Sequence, residues 1–172
     1  MRVTLKPHPE TPARAVSAVE VEVHAPSAAQ VRVRFEVRGK LEQLMLPAPA
    51  DPERTDELWQ RTCFEAFART EGAEAYDEFN FSPSTQWAVY RFVSYRAGMT
   101  KPDVLAPRVE GGIEDDAYVL HAAFDLPGDG PWVMGLSAVI EEADGTKSYW
   151  ALRHAPGKPD FHHADAFALE LT

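Results

Sequence analysis

The sequence contains one cysteine and no long hydrophobic run, and these two absences narrow the class of protein. Because Cys63 has no second cysteine to pair with among the 172 residues, an intrachain disulfide is excluded. No segment approaches the ~18 consecutive apolar residues of a membrane-spanning helix. The first residues, MRVTLKPHPETPA, lack the apolar core of a signal peptide, so we expect a cytoplasmic protein.

Positive charge is also scarce. The chain has 17 Lys and Arg against 27 Asp and Glu, which gives a formal net charge of -10. Recognition of nucleic-acid phosphates needs a basic surface, and anionic membrane surfaces attract basic segments. We therefore expect neither a nucleic-acid partner nor a membrane partner.

The common catalytic motifs are missing as well. The sequence has no G-x-S-x-G, no Walker loop and no G-x-G-x-x-G. Cys63 has no catalytic pattern around it, and a thiol of this kind is most often a buried structural group. No residues supply nucleophile, base and orienting group at a recognisable spacing, so we expect that the protein is not an enzyme.

A metal site is considered at DFHHAD, residues 160–165, where two histidines lie between two aspartates. Histidine and carboxylate together can bind zinc or a related ion. Adjacent side chains of an extended chain point in opposite directions, however, so at most one histidine faces a given site. A loop that hydrogen-bonds its own backbone explains the same residues, and we expect no metal.

What the sequence does contain is alternation. Stretches such as VEVEVHA and VRVRFEVRG place β-branched residues at every second position, which is typical of half-buried strands. Turn residues separate these stretches. The predicted strands cover residues 19–25, 31–39, 41–46, 63–70, 76–82, 86–96, 117–126, 131–142, 147–155 and 166–171.

About ten short strands with turn signals between them predict a single all-β domain over residues 1–172, an antiparallel β-sandwich of jelly-roll type. Residues 56–61 are expected to form the only substantial helical turn. The residues expected in or near the core are Phe64, Phe79, Phe81, Tyr90 and Phe92.

The stretch YDEFNFSPSTQW, residues 76–87, alternates strictly. Phe79 and Phe81 fall on one side, which suits a core, whereas Glu78 and Asn80 fall on the other with Tyr76 and Ser82. That polar face is either ordinary solvent-facing surface or the lining of a site.

Two carboxylates on neighbouring strands raise the question of acid–base chemistry. If Glu65 and Glu78 point the same way, each raises the pKa of the other, as in paired acid–base groups. The alternative is that both face solvent or pair with Arg69 and Arg91.

Four tryptophans, at 59, 87, 132 and 150, allow two interpretations. Tryptophans fill cores, but a Trp beside Asn, Glu and Arg is also a platform on which a sugar ring stacks while the polar groups bind its hydroxyls. Composition alone does not choose between these roles.

The motifs together suggest a family. LWQRTCFEAF followed by YDEFNFSPSTQWAVYRF resembles the middle of the bacterial DOMON-like proteins, relatives of carbohydrate-binding module family 9, and the tail YWALRHAPGKPDFHHADAFALEL resembles their closing strands. In that group a Trp and a Glu-containing strand precede a hairpin of the form Tyr-x-Glu-x-Asn-x-Ser-Pro-x-x-x-Trp. The matching positions here are Trp59, Glu65, Tyr76, Glu78, Asn80, Ser82, Pro83 and Trp87.

The resemblance implies a β-sandwich that binds a ligand without chemistry, the ligand being a sugar or a haem across the wider group. We predict a small polar ligand, a saccharide or a cell-wall fragment. Of the closing hairpin, Trp150 and His154 share a face and Arg153 takes the other, so only one of these sets can reach the ligand. The predicted ligand-binding residues are Trp59, Glu65, Glu78, Asn80, Trp87, Trp150, Arg153 and His154.

Two alternatives stay open. Haem, the one cofactor considered, needs an axial His or Met in a dry slot, and Met99 with His121, His154 or His162 would supply it. A glycoside hydrolase would use Glu65 and Glu78. Carboxyl groups roughly 5 to 9.5 Å apart in an open cleft would favour that enzyme, whereas Arg-paired or solvent-facing carboxylates would favour a binding module.

Overall fold

The computed structural model describes residues 1–25, 27, 29–128 and 130–171. Within them the regular structure is almost entirely β, with three short 3-10 turns at Leu41–Gln43, Leu58–Gln60 and Ala164–Ala166. No helix in these residues has the length and apolar character needed to cross a membrane. The strands are β1 Arg2–Pro7, β2 Val16–His24, β3 Gln30–Gly39, β4 Cys63–Thr70, β5 Tyr76–Phe81, β6 Trp87–Phe92, β7 Arg108–Glu114, β8 Ala117–Asp125, β9 Trp132–Glu141, β10 Lys147–Ala151 and β11 Leu169–Leu171.

The strands form two antiparallel sheets that share β1. The first sheet has the order β7-β8-β3-β2-β1, and the second has the order β1-β10-β9-β4-β5-β6. Residues 2–5 of β1 pair with β2, whereas Lys6 and Pro7 pair with β10. β11 pairs with the start of β9. The predicted all-β antiparallel sandwich is confirmed.

The main core lies between the two sheets, where their inward side chains meet. Phe35 of the first sheet packs on Phe64 of the second with ring centroids 5.1 Å apart, and Phe79 packs on Phe124 at 4.5 Å. Phe81 is fully buried in the same cluster. Alternation along each strand therefore directs the apolar residues inward, as in other aligned sandwiches.

A second apolar cluster covers the outer face of the second sheet. Tyr90 and Phe92, which were predicted in or near the core, are buried in this cluster. Phe161 and Phe167 join it from the segment between β10 and β11, which folds back over the sheet. The second sheet is consequently buried on both faces, so its strands carry apolar residues on both sides.

Three local predictions differ from the structure. Residues 41–46 form a 3-10 turn and one bridge at Leu44, because the apolar positions are three residues apart and both Leu41 and Leu44 pack on the core. β6 ends at Phe92, since residues 94–97 turn tightly and Arg96 has a left-handed φ of 52°. β1 and β7 were not predicted.

The missed strand β7 contains two glycines, which weaken a strand pattern. A Cβ at Gly111 would lie 2.2 Å from the hydroxyl oxygen of Tyr118, so a side chain does not fit there without a shift. The glycine that weakens the strand pattern leaves room for the side chain of Tyr118.

Candidate ligand-binding site

A cavity of about 800 Å³ lies on the outer face of the second sheet. Its floor includes Glu65, Glu78 and Tyr90, which project from β4, β5 and β6. Its walls come from two loops, residues 56–59 and 96–101, and from residues 159–162 of the segment that follows β10. The lining combines aromatic and apolar side chains with charged ones, and a concave surface that holds polar groups among apolar ones is the usual form of a small-molecule site.

Strand register brings the two floor carboxyl groups together. Glu65 of β4 pairs with Asn80 of β5, and Phe67 pairs with Glu78. Glu65 and Glu78 are therefore diagonal neighbours on one face, a relation that spans roughly 7–8 Å in an antiparallel sheet. Of the polar residues on that face of β5, Glu78 lines the cavity, and the face is buried instead of open to solvent.

Glu65 lies deepest in the floor, with 3% of its surface exposed. Ser137 Oγ donates a hydrogen bond to Glu65 Oε2 at 3.3 Å. Burial raises the pKa of Glu65 well above its ordinary value, and the charge of Glu78 raises it further, while the Ser137 bond acts in the opposite direction. Burial disfavours the charged form of a carboxyl group that has no cation beside it.

Glu78 is positioned by a hydrogen bond from Asn80, its neighbour on the same face of β5. The amide nitrogen Nδ2 of Asn80 donates to Glu78 Oε1 at 2.8 Å, and Cys63 Sγ lies 3.7 Å from Asn80 Oδ1. Burial raises the pKa of Glu78, an effect that the Asn80 bond opposes. Asn80 is fully buried, so it positions Glu78 and has no surface for a ligand. Cys63 is buried, as predicted.

His162 completes the inner wall, and the predicted site did not include it. Its Nδ1 lies 2.8 Å from the Tyr76 hydroxyl, which accepts a bond from the backbone N–H of Arg96 at 3.1 Å. Tyr76 can therefore donate to Nδ1, which leaves the hydrogen of neutral His162 on Nε2, 3.6 Å from Glu78 Oε2. Burial lowers the pKa of His162 to about 4, so the ring is neutral at pH 7.

The rim carries the groups that a ligand meets first. Trp59 belongs to the turn at Leu58–Gln60 and keeps 51% of its surface exposed. Beside it, the Tyr90 hydroxyl donates to Asp56 Oδ1 at 2.8 Å, and Lys101 pairs with Asp56 Oδ2. Tyr90 was missed as a site residue, although it lies directly opposite Glu78 in the β5–β6 register and so shares its face.

Trp87 and Trp150 do not reach the cavity, contrary to the prediction. Trp87 pairs with Phe81 and Trp150 pairs with Ala138, both of which face the core. Side chains opposite each other in a ladder share a face, so both indoles point between the sheets, 7% and 3% exposed. Trp150 Nε1 donates to Ser148 Oγ at 2.9 Å.

Arg153 and His154 also lie away from the cavity lining. β10 ends at Ala151, so the alternation expected through residue 155 does not continue. His154 Nε2 donates to the carbonyl oxygen of Lys6 at 2.7 Å. Arg153 is exposed. The prediction that one of these sets reaches the ligand is not supported.

The cavity residues do not suit haem. Of the proposed axial ligands, Met99 and His162 line the cavity, whereas His121 pairs with Glu114 on the first sheet. Both ring nitrogens of His162 already face partners, Tyr76 and Glu78, and the floor beside it carries carboxyl groups instead of a dry slot. The residues that the structure describes also contain no group of three His, Cys, Asp or Glu suited to a metal ion.

Solved structures provide counterparts for the fold. A protein of Bacteroides uniformis ATCC 8492 that is proposed to bind carbohydrate matches 97% of this chain and 83% of its own, with a TM-score of 0.70 and 13% identity. A family 9 carbohydrate-binding module of Caldicellulosiruptor kristjanssonii, in complex with glucose, matches 86% of this chain and 72% of its own, with a TM-score of 0.51 and 12% identity. At these identities the likeness is one of fold. No family model and no curated protein matches the sequence.

Proposed function

We propose that this protein is a non-catalytic domain that binds a saccharide, or a similar small polar ligand, in the cavity of the second sheet. One observation carries the proposal: the exposed ring of Trp59 stands at the rim of an ~800 Å³ cavity whose floor holds two buried carboxyl groups. The likeness in fold to a module in complex with glucose supports it. The DOMON-like relationship is part of the same proposal and rests on the hairpin motif from Tyr76 to Trp87.

The chemistry of the cavity suits a sugar. An indole face stacks on the apolar face of a pyranose ring, while hydroxyl groups need donors and acceptors in fixed directions. Glu78 is fixed by Asn80 and Glu65 by Ser137, so neither carboxyl group needs to be ordered when a ligand binds. A carboxyl group that keeps its proton both donates and accepts, as sugar hydroxyls do.

The test is a glycan array followed by calorimetry with soluble hits. Trp59→Ala should weaken binding about tenfold or more, because it removes the stacking surface, whereas Trp59→Phe should retain part of the affinity. Ile113→Ala, an exposed apolar residue of the first sheet, is the control and should leave affinity unchanged. Equal binding by wild type and Trp59→Ala would reject the proposed stacking role.

A glycoside hydrolase is the second candidate, and one observation favours it. Glu65 and Glu78 line one cavity, and neither pairs with an arginine or points into open solvent. Both are largely buried in the cavity floor, however, with 3% and 6% of their surfaces exposed, whereas paired catalytic carboxylates flank the scissile bond in an open cleft. Turnover of aryl-glycosides that disappears in Glu78→Gln would establish the hydrolase and overturn the non-catalytic proposal.

A further inference from the structure

A second cavity of about 490 Å³ adjoins the first. His162 lines both cavities, so the two share a wall at that side chain. Arg69, at the end of β4, projects into the second cavity, with Tyr76 and Phe167 beside it. The proposed saccharide site thus has a neighbouring compartment that contains a cation.

Arg69 has no ion-pair partner in the described part of the chain. Its Nε is buried without a hydrogen-bond acceptor, and its guanidinium carbon lies 4.7 Å from the ring centroid of Phe167. A buried donor left without an acceptor costs free energy, and acidic residues outnumber basic ones in this chain, 27 to 17. An unpaired arginine in such a chain points to an acceptor that the chain itself does not supply.

The carboxylates near this cavity do not fill that role. Asp160 accepts from Arg96 at 2.9 Å and also from the Tyr95 hydroxyl. Asp165 lies 3.6 Å from His163. Glu74 lines the cavity and is exposed, but it is not within ion-pair distance of Arg69. Phe167 packs on the guanidinium group, and no acceptor in the described residues bonds to the buried Nε.

We propose that Arg69 binds the carboxylate of a uronic acid, so that the ligand is an acidic saccharide with one residue in the second cavity and the next in the first. This inference rests on the proposed saccharide binding. A guanidinium presents parallel N–H donors that match a carboxylate in a two-bond geometry. The arrangement would give the Arg69 Nε its missing acceptor.

The experiment compares two disaccharides that differ at one group: cellobiouronic acid carries a carboxylate where cellobiose carries a hydroxymethyl. Calorimetry should show that the wild type prefers the acid roughly tenfold or more, as expected for charge-assisted bonds. Arg69→Gln should abolish that preference and leave cellobiose affinity unchanged. Arg69→Lys should keep only part of it, because the ammonium lacks the planar fork. Arg153→Gln, an equal charge change at an exposed site away from both cavities, is the control and should keep the full preference.

The outcomes separate this inference from the proposed function. Equal affinities for the two sugars in the wild type, or a preference that survives Arg69→Gln, would overturn the role of Arg69 and leave saccharide binding intact. Binding of neither disaccharide would overturn the role of Arg69, and the proposed saccharide binding would fall with it only if the glycan array also gave no hit. A readout on unaltered protein guards against misfolded variants: the Nε–H resonance of Arg69 should shift on addition of cellobiouronic acid but not of cellobiose, and no shift with the acid would reject the contact.

Discussion

Carboxyl groups on the outer faces of the two sheets have pKa values that are shifted in opposite directions. On the first sheet, Arg34 and Arg38 flank Glu36, and the Arg34 guanidinium holds the pKa of Glu36 below its ordinary value. On the second sheet, Glu65 and Glu78 form no ion pair with an arginine or lysine. The charge of Arg96 lowers both pKa values, but burial is the larger effect and raises them. Glu36 is thus stabilised as a carboxylate by pairing, whereas Glu65 and Glu78 lie without an ion pair inside a cavity.

The strands themselves do not cause this difference. Both faces arise from the same alternation, with polar residues at every second position of β3 and β5. The second sheet is covered by the segment between β10 and β11 and by the loops around Trp59 and Met99, whereas the pairs on the first sheet reach solvent. Long connections therefore enclose a cavity over one of the two faces, and loops on a rigid scaffold commonly carry function.

Truncating a buried side chain in the segment after β10, which covers the second sheet, should have the largest effect on stability. Phe161→Ala takes a buried ring out of the second cluster and should lower the free energy of unfolding by about 2–4 kcal/mol. Ile113→Ala removes an exposed side chain of the first sheet and should change it by less than about 0.5 kcal/mol. Urea denaturation measures both. Similar small losses would show that the segment after β10 adds little to the fold.

Removing the carboxylate of Glu36 from the first sheet should have an intermediate effect on stability. Glu36→Gln removes the carboxylate shared by Arg34 and Arg38, which keep only their more exposed partners Glu114 and Asp116. The loss should be about 1–2 kcal/mol, discounted because both arginines are partly exposed. The loss should shrink in high salt. Glu110→Gln, at the exposed pair with Arg108, is the matched control and should have no measurable effect. A Glu36→Gln protein as stable as wild type would mean that pairing on this face contributes nothing.

The raised pKa of Glu65 should make stability depend on pH with the opposite sign from a lowered pKa such as that of Glu36. Because the pKa of Glu65 is higher in the folded protein than in the unfolded chain, the folded state holds the extra proton between the two values. The free energy of unfolding should therefore fall as pH rises through that window, by about 1.4 kcal/mol for each pKa unit. Glu65→Gln has no proton to lose, so its stability relative to wild type should increase with pH. Parallel profiles in denaturation from pH 4 to 9 would contradict the raised pKa.

The sequence predicted the parts of the site that depend on strand periodicity. β4 was predicted with its observed bounds. Alternation alone also placed Glu78 on the face of β5 that points away from Phe79 and Phe81. Trp87 could have been placed correctly too, since a hairpin that pairs it with Phe81 puts both on the core face. The motif resemblance favoured a ligand role for Trp87, and the register excludes it.

The rest of the site depends on contacts between residues far apart in the chain. His162 reaches Tyr76 across 86 residues, and no local pattern indicates which of two adjacent histidines turns inward. The loop at residues 96–101 has no periodicity to place Met99 or Lys101 at a cavity wall. Turns and alternation predicted ten strands, nine of which correspond to observed strands, whereas β1 and β7 were missed. Which face the connections cover is a tertiary property.

Saccharide binding in the cavity of the second sheet is tested most directly by titrating ¹⁵N-labelled protein with cellobiose and following amide and indole NMR shifts. We expect changes at the Trp59 indole and at amides of β4, β5 and β6 around Glu65, Glu78 and Tyr90, with none on β3 and β8 around Glu36 and His121. Shifts centred on the first sheet, or no shifts with cellobiose or any array-derived saccharide at millimolar concentration, would contradict saccharide binding in this cavity.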